Sequence, residues 1–350
     1  MKIGIIGAGG AARGIHIPAL QLCPGVEIAA VADPNPAAAV DGIPFTTNYQ
    51  DLLGRGDVAA VVNSTPNFLH WQITLQAFAA GKHVICEKPL GLNHAETVEM
   101  LRAAEAAGLV HMTAFTYRFA PAVQYMRALV EDGSLGEIRS VRAAYLMALS
   151  GHLTGWRSRR RLAGSGVLAD IGSHLIHITQ FLLGRIAQVT AASRRFQESD
   201  VDDWVGFLAE FASGAMATYE ISRVCPGRGA AITENMFIEI YGSRGGAVFS
   251  LQDPWAVGLC AGECARKPAE SLARTPVPEK FLKLPGSPRD LHAHDPRWGY
   301  RFDQDFQFVE SIRTGAVREP SFRAGVECQA LLDAVLESGE SGQWTAPAQI

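Results

Sequence analysis

The first 33 residues constrain the fold more tightly than any other part of the chain. Lys2 to Ile6 reads as a short buried strand, rich in isoleucine and stopped by glycine. It runs into Gly7-Ala8-Gly9-Gly10-Ala11-Ala12, a GxGxxA loop, and a helix is expected from about Ala11. Val26 to Ala32 reads as a second strand and ends in Asp33. Strand, glycine loop, helix and strand, in that order, form the setting in which such a loop cradles a dinucleotide. Gly7 permits the tight turn, and Gly9 lets the backbone approach a pyrophosphate at the helix N-terminus. Ala12 is small enough for the helix to pack on the strand. The loop residues Gly7, Gly9, Gly10, Ala11 and Ala12 are therefore assigned to the cofactor. Asp33 lies 24 residues after Gly9, where a carboxylate takes ribose hydroxyls. Pro34-Asn35-Pro36 offers no cation for a 2′-phosphate, and Asp33 repels one, so NAD is favoured over NADP. The competing reading is an incidental glycine turn beside a solvated aspartate.

The alternation of strand and helix continues to residue 119. Tyr49–Leu53 starts a short helix, Val58–Asn63 is a strand, and residues 68–80 are helical. His83–Cys86 is a strand, His94–Ala107 a helix and Leu109–Phe115 a further strand. Ligands of such sheets bind at the carboxyl ends of strands. Thr65, Pro66 and Asn67 follow one such end and are expected to border the cofactor, with His70 behind them as a contact or a helix-start residue. Glu87-Lys88-Pro89 follows another. Pro89 removes the helical option for Lys88 and permits a cis bond. Lys88 is thus held extended at a strand end, which favours a catalytic lysine over a surface one.

Beyond residue 119 the pattern changes. Pro121–Asp132 reads as a helix, followed by strand-like segments at 137–149, 186–197, 201–212, 215–224, 235–241 and 246–251. Weak alternation predicts a large, mostly antiparallel open sheet with both faces covered, one by helices and the other by a second subunit. Residues 253–296 are proline-rich and read as irregular, and Tyr300–Thr314 and Ala324–Ser338 read as closing helices. The expected organisation is a doubly wound parallel α/β domain at 1–119 and an α+β substrate and oligomerisation domain at 120–350.

Within the second domain, AGSGVLADIGSHLIHITQFLLG (163–184) is apolar and long enough for a buried helix over 166–183. Asp170, His174 and His177 fall at i, i+4 and i+7, on one helical face. Taken alone they fit core residues with local hydrogen bonds, a metal site, or an acid/base cluster facing a substrate. His292, His294 and Asp295 fit a polar loop better than a metal site.

The net charge of −4 argues against a nucleic-acid partner. The run Arg157, Arg159, Arg160, Arg161 reads as a solvated face. Six scattered cysteines, with only Cys260 and Cys264 close together, complete no zinc-ribbon spacing and fit a reducing cytoplasm. No uninterrupted apolar run of membrane-spanning length appears.

In order along the chain stand the GxGxxA loop, Asp33, Thr65-Pro66-Asn67 with His70, Glu87-Lys88-Pro89, Tyr117-Arg118-Phe119, Trp156-Arg157 and Gly164-x-Gly-x-Leu-x-Asp-x-Gly-x-His. The ending, Pro320-Ser321-Phe322 to Leu336-x-Ser338 and Gly342-x-Trp344, completes the series. Together they resemble the Gfo/Idh/MocA oxidoreductases over nearly the whole chain. The resemblance implies that Lys88, Asp170 and His174 line a substrate pocket beside the nicotinamide. It puts Trp156 and Arg157 near the nicotinamide end and Glu87 with the cofactor. Tyr117, Arg118 and Arg157 join the residues expected at the substrate. One departure stands out: the position three after the histidine, commonly aspartate, is His177, which either recognises a substrate hydroxyl or packs.

The chemistry follows from the residues as well. Oxidising a carbinol needs a hydride acceptor, a base and a fixed approach. His174, with an ordinary pKa of about 6.5, suits the base. Lys88 can polarise the oxygen, and Asp170 can hold a neighbouring hydroxyl, so no metal is required. The expectation is an NAD-dependent dehydrogenase or reductase of a sugar or cyclic polyol, cytoplasmic, and a homodimer or homotetramer through the second-domain sheet. The alternatives are a lyase or glycosidase that uses bound NAD transiently, and a dinucleotide-binding sensor.

Overall fold

The computed structural model describes residues 1–147, 154–225, 235–261, 272–291 and 299–350. His292, His294, Asp295 and Cys264 lie outside them. The first sheet is built from β1 (Lys2–Ile6), β2 (Glu27–Ala32), β3 (Phe45–Thr46), β4 (Val58–Asn63), β5 (His83–Cys86) and β6 (His111–Thr113). All pairings are parallel, in the order β3-β2-β1-β4-β5-β6. The reversal of strand order beside β1 opens the crevice where such sheets hold ligands. The helices α1 (Ile17–Leu22), α2 (Tyr49–Leu53), α3 (Asn67–Ala79) and α4 (His94–Ala107) connect the strands. The strand expected over 109–115 is shorter: its ladder ends at Thr113, and beyond Ala114, whose N–H still reaches the Cys86 carbonyl, Phe115 is buried in the second-domain core.

The helix starts at Gly10–Ala11, as expected, and then widens into a π turn over Ala12–His16, closed by the Ile17 N–H on the Ala12 carbonyl. Pro18 is the physical reason: it has no N–H to give the Gly14 carbonyl, so the helix widens just ahead of it.

The second sheet has eight strands: β7 (Ile138–Leu146), β8 (Ile186–Arg194), β9 (Trp204–Phe211), β10 (Met216–Ser222), β11 (Asn235–Gly242), β12 (Gly245–Ser250), β13 (Ala256–Ala261) and β14 (Ala273–Pro276). Their order is β14-β13-β12-β11-β7-β10-β9-β8, and only β7 and β10 pair in parallel. The last two strands lie in the region read as irregular. They form an edge hairpin whose pairing comes from β12.

One sheet face is buried by Val205, Phe207, Ala217, Tyr219, Ile221, Met236 and Ile238. The helices α5 (Pro121–Glu131) and α7 (Ser173–Leu183), the latter preceded by the short α6 (Arg160–Ala163), cover it. The other face carries Leu208, Met216, Thr218 and Glu220, all exposed. Helices cover the first face, as expected; the second, assigned to another subunit, is open in the single chain. The stretch Arg160–Leu183 is apolar enough for a membrane span by composition, yet 78% of its apolar 18-residue window is buried. Two closing helices, α8 (Phe302–Thr314) and α9 (Phe322–Ser341), return to the first sheet, α8 against α1 and α9 against α4 and β6.

Candidate active site

A cavity of about 330 Å³ lies along the carboxyl ends of β1, β4 and β5. Its first-domain wall is Gly7, Gly9, Gly10 and Ala11, then Asp33, then Ser64 to Asn67, then Glu87 to Pro89. Its second-domain wall is Trp156, Arg157, Ala163, Ser165, Gly166, Ala169 and Asp170.

The glycine loop has the shape a dinucleotide needs. Gly7 has φ +91°, and a Cβ there would lie 2.5 Å from the Ser64 carbonyl oxygen. At Gly9 and Gly10 an added Cβ meets nothing within 4 Å, so the loop backbone faces open space. The Ala8 N–H donates to Asp33 Oδ2 at 2.9 Å, which ties the carboxylate to the loop while it still lines the cavity. Arg13 is the nearby cation that could meet a 2′-phosphate. Its guanidinium is committed to the Ala8 and Ala38 carbonyls (3.0 and 2.5 Å). These residues fit NAD.

Ala12 is fully buried and packs in the first-domain core, as its size predicted, rather than lining the cavity. His70 does not line it either. Its ring nitrogens each lie 2.9 Å from a carbonyl oxygen, Pro89 on one side and Thr65 on the other. It braces the two loops that form the wall. Glu87 has a similar bracing role: its carboxylate meets His16 Nε2 at 3.1 Å, and Asp305 meets His16 Nδ1 at 2.7 Å. Burial opposes a charge on His16, but the two carboxylates outweigh it and raise its pKa to about 10. Asn67 reaches across the cleft and donates to the Ala163 carbonyl at 3.0 Å.

Lys88, preceding a cis peptide bond to Pro89, meets the second domain at Asp170. Its Nζ donates to the Asp170 carbonyl oxygen (2.5 Å) and to Oδ1 (3.4 Å). On the other carboxylate oxygen, Arg223 Nη1 donates at 2.9 Å. Burial opposes ionisation of Asp170, but Lys88, Arg223 and Arg157 outweigh it and hold its carboxyl below the usual range. Arg157 itself stacks on Trp156, 4.2 Å from the ring centroid.

Asp170 does not sit in an α-helix. Leu168–Gly172 is a π turn, and the α-helix begins at Ser173. An i→i+5 turn takes an extra residue per circuit, so Asp170 is rotated relative to the residues that follow. The expected single face therefore divides. Asp170 lines the cavity; His174 lies deeper, with its ring edge-on to Tyr117 at 4.5 Å. Burial, with Lys88 and Arg301 next, pushes the His174 pKa well below its ordinary value. Its Nδ1 is buried with no partner among the described residues. Tyr117 receives a hydrogen bond from Arg301 (2.7 Å) and shares one with Tyr145 (3.2 Å).

His177 stacks on Phe115 (centroids 3.9 Å apart) and borders a different cavity. Arg118 borders that cavity too and lies over the Phe181 ring. Neither lines the first cavity, and neither do Tyr117 and His174; of the expected substrate residues, Lys88, Arg157 and Asp170 line it.

Sequence reasoning missed three residues that hold the site. Asp202 accepts from the N–H groups of Gly166 (2.7 Å) and Leu168 (2.9 Å). Ser165 Oγ accepts from the Ala169 N–H at 3.0 Å, a capping signal visible in the GSG run. Arg223 left no local trace.

A parallel nucleotide-type sheet whose glycine loop and lysine face an aspartate across a cleft defines a nicotinamide-dependent oxidoreductase. Residues 1–115 match the family model for the oxidoreductase family with an NAD-binding Rossmann fold, and residues 123–248 match the GFO/IDH/MocA C-terminal domain. The chain belongs to the Gfo/Idh/MocA oxidoreductase family. Levoglucosan dehydrogenase of Pseudarthrobacter phenanthrenivorans is 29% identical over all of this chain and 99% of that protein. The 1,5-anhydro-D-fructose reductase of Ensifer adhaerens is 36% identical over 62% of this chain and 67% of its own length. Among solved structures, levoglucosan dehydrogenase in complex with NADH and levoglucosan superposes with a TM-score of 0.88 at 26% identity, covering all of both chains.

Proposed function

We propose that the protein is an NAD-dependent dehydrogenase, or in reverse a reductase, of a sugar or cyclic polyol, with Lys88, Asp170 and His174 as its catalytic residues. The observation that carries this reading is the Lys88–Asp170 contact, 3.4 Å between side chains, made across the cleft inside the cavity that the glycine loop lines. The sugar-specific relatives support the substrate class.

Bound along the glycine loop, NAD supplies the acceptor for the hydride that leaves the carbinol carbon. The chain does the rest. Lys88 Nζ, released from the Asp170 carbonyl, donates a hydrogen bond to the carbinol oxygen and stabilises the negative charge that develops there. Asp170, held ionised, accepts from a neighbouring hydroxyl and fixes the ring. His174 is neutral at physiological pH and accepts the carbinol proton. Neither the transient-redox alternative nor the sensor alternative has an observation in its favour.

The open sheet face, with Leu208 43% and Met216 42% exposed, supports a homodimer or homotetramer formed there. Size-exclusion chromatography with light scattering tests it. The free cysteines Cys23, Cys86, Cys225, Cys260 and Cys328 fit the cytoplasm. A screen of NAD reduction over sugars and inositols, with Lys88→Ala and His174→Ala beside the wild type, tests the catalytic reading. Each variant is expected to lose about 10²–10⁴-fold in kcat. Undiminished turnover in both would overturn it.

A further inference from the structure

We propose that the second cavity, the one bordered by His177 and Arg118, is a binding site for a small zwitterion of the amino-acid type. The carboxylate of the ligand lies on Arg118 and its ammonium between Glu319 and Glu327.

This cavity measures about 280 Å³ and shares no lining residue with the cleft. Pockets for drug-sized ligands run to about 300–1,000 Å³, so a small metabolite is the scale that fits. The last turns of α7 supply His177, Gln180 and Phe181, and Arg185 follows them. The turn after β6 supplies Arg118, and α9 supplies Glu327. Glu319, just ahead of α9, completes the charged lining.

Two arginines and two glutamates thus line one space without pairing. No ion pair joins Arg118 or Arg185 to Glu319 or Glu327 among the described residues. The opposite charges stand apart around the cavity, which is the arrangement a ligand carrying both signs completes.

The two ends are built for different groups. Arg118 is half-buried and lies over the Phe181 ring, 3.9 Å from its centroid. Its guanidinium makes no hydrogen bond to another described residue, so its donors remain for a two-pronged bond to a carboxylate. Burial lowers its pKa to about 10, against the pull of Glu319, and it stays charged at neutral pH. The ring face offsets part of the cost of desolvating that cation, and a bonded carboxylate offsets more. His177 lies flat on Phe115 beside it, with Nε2 unpartnered among the described residues. Burial keeps this imidazole neutral, so it adds a polar ring and no second charge.

At the other end, Glu319 accepts from the Ser321 N–H (2.9 Å) and hydroxyl (2.8 Å). Glu327 has no hydrogen-bond partner among the described residues, and burial, then Glu319, push its carboxyl up. An ammonium between the two carboxylates relieves their repulsion. A plain anion on Arg118 meets that repulsion instead, and a plain cation meets Arg118 and Arg185. A zwitterion avoids both conflicts.

The test is calorimetric titration of the full chain, saturated with NADH, with L-leucine and with L-glutamine. Each is compared with the same molecule lacking its amine and the same molecule lacking its carboxylate. One site per chain is expected, with at least one of the two amino acids bound about tenfold or more tighter than either of its counterparts. Arg118→Gln should bring that amino acid down to the affinity of its decarboxylated amine. Glu327→Gln should bring it down to that of its des-amino acid. Lys88→Ala, in the cleft, should leave this binding unchanged. Thermal melts check that each variant folds; Glu327, exposed and unpartnered, keeps the test open if Arg118→Gln does not. Equal binding of the des-amino acid overturns the proposal, since a plain anion site would then suffice. Loss of binding in Lys88→Ala overturns it by placing the ligand in the cleft. An unaffected Glu327→Gln overturns it too, as does absence of binding by both amino acids up to about 10 mM, which would leave a solvated surface hollow.

Discussion

Asp202 is buried, 7% exposed, and its carboxylate accepts the N–H groups of Gly166 and Leu168, the two residues that lead into the π turn carrying Asp170. Its own carbonyl takes the Val167 N–H at 3.0 Å, so the segment is pinned at three successive residues. A hydrogen bond to an ionised group contributes about 1.5–3 kcal/mol, so Asp202→Ala forfeits about 3–6 kcal/mol from two of them. Relief of a buried charge offsets part of that, since burial already pushes the Asp202 carboxyl up. A net loss near the lower end, about 3 kcal/mol, is expected, and a melting temperature lower by roughly 4 °C. Asp202→Asn keeps one acceptor and turns an amide donor on the second N–H, so it should recover less than half. Ser165, Gly166 and Ala169 line the cavity, so NADH binding should weaken as well. Thermal unfolding and NADH fluorescence titration read both effects. A variant that melts within about 1 °C of the wild type and binds NADH equally would refute the claim that these bonds hold the second wall.

Gly7→Ala should abolish NADH binding, because its Cβ would lie 2.5 Å from the Ser64 carbonyl at a φ of +91°; titration against the wild type checks it. Stability should peak near neutral pH. Below pH 6.5 the unfolded chain protonates His174 and His177 while the folded chain resists, so stability falls as pH drops. His16, raised to about 10, keeps its proton in the folded state, so its contribution is complete below 6.5 and is lost as pH rises toward 10. Each fully differing group changes stability by about 1.4 kcal/mol per pH unit, and His16→Gln should flatten the alkaline limb of a melting-temperature profile. EDTA should leave NAD reduction unchanged; a loss restored by zinc would place a metal in the site.

The first domain was legible because its signals are local. Gly7, Gly9 and Asp33 occupy positions that only a strand–loop–helix–strand unit explains, and Pro89 restricts Lys88 from the neighbouring position. The π turn at Leu168–Gly172 was not legible, since a change from i→i+4 to i→i+5 bonding leaves no mark in the apolar pattern. Reading that stretch as one α-helix grouped His177 with Asp170, whereas the structure parts them. The β13–β14 hairpin was hidden because its order comes from β12, not from its own propensity. Asp202 and Arg223 act on partners 36 and 53 residues away, a distance at which a single sequence carries no pairing information.

A division of the chain at residue 119 separates the two sheets but not the two cores. Phe322 and Val326, at the start of α9, are buried with the β4 and β5 residues of the first domain. Leu331, Leu332 and Val335, two turns on, are buried with α7 and the second sheet. One helix thus anchors an end in each core. At Gly325 a Cβ would meet Leu90 and Thr113 at 2.6 Å, so the helix backbone lies directly against the strand end that carries Lys88. Further along, the thiol of Cys328 donates to the Ser173 carbonyl, at the first residue of α7. α9 therefore touches the element that presents Lys88 and the one that follows Asp170. The helix thus packs on both elements whose side chains meet at 3.4 Å. Cores that share an element leave little freedom for hinge motion at the Lys88–Asp170 pair. Substrate entry is then expected to involve side chains and the cavity rim rather than rotation of whole domains.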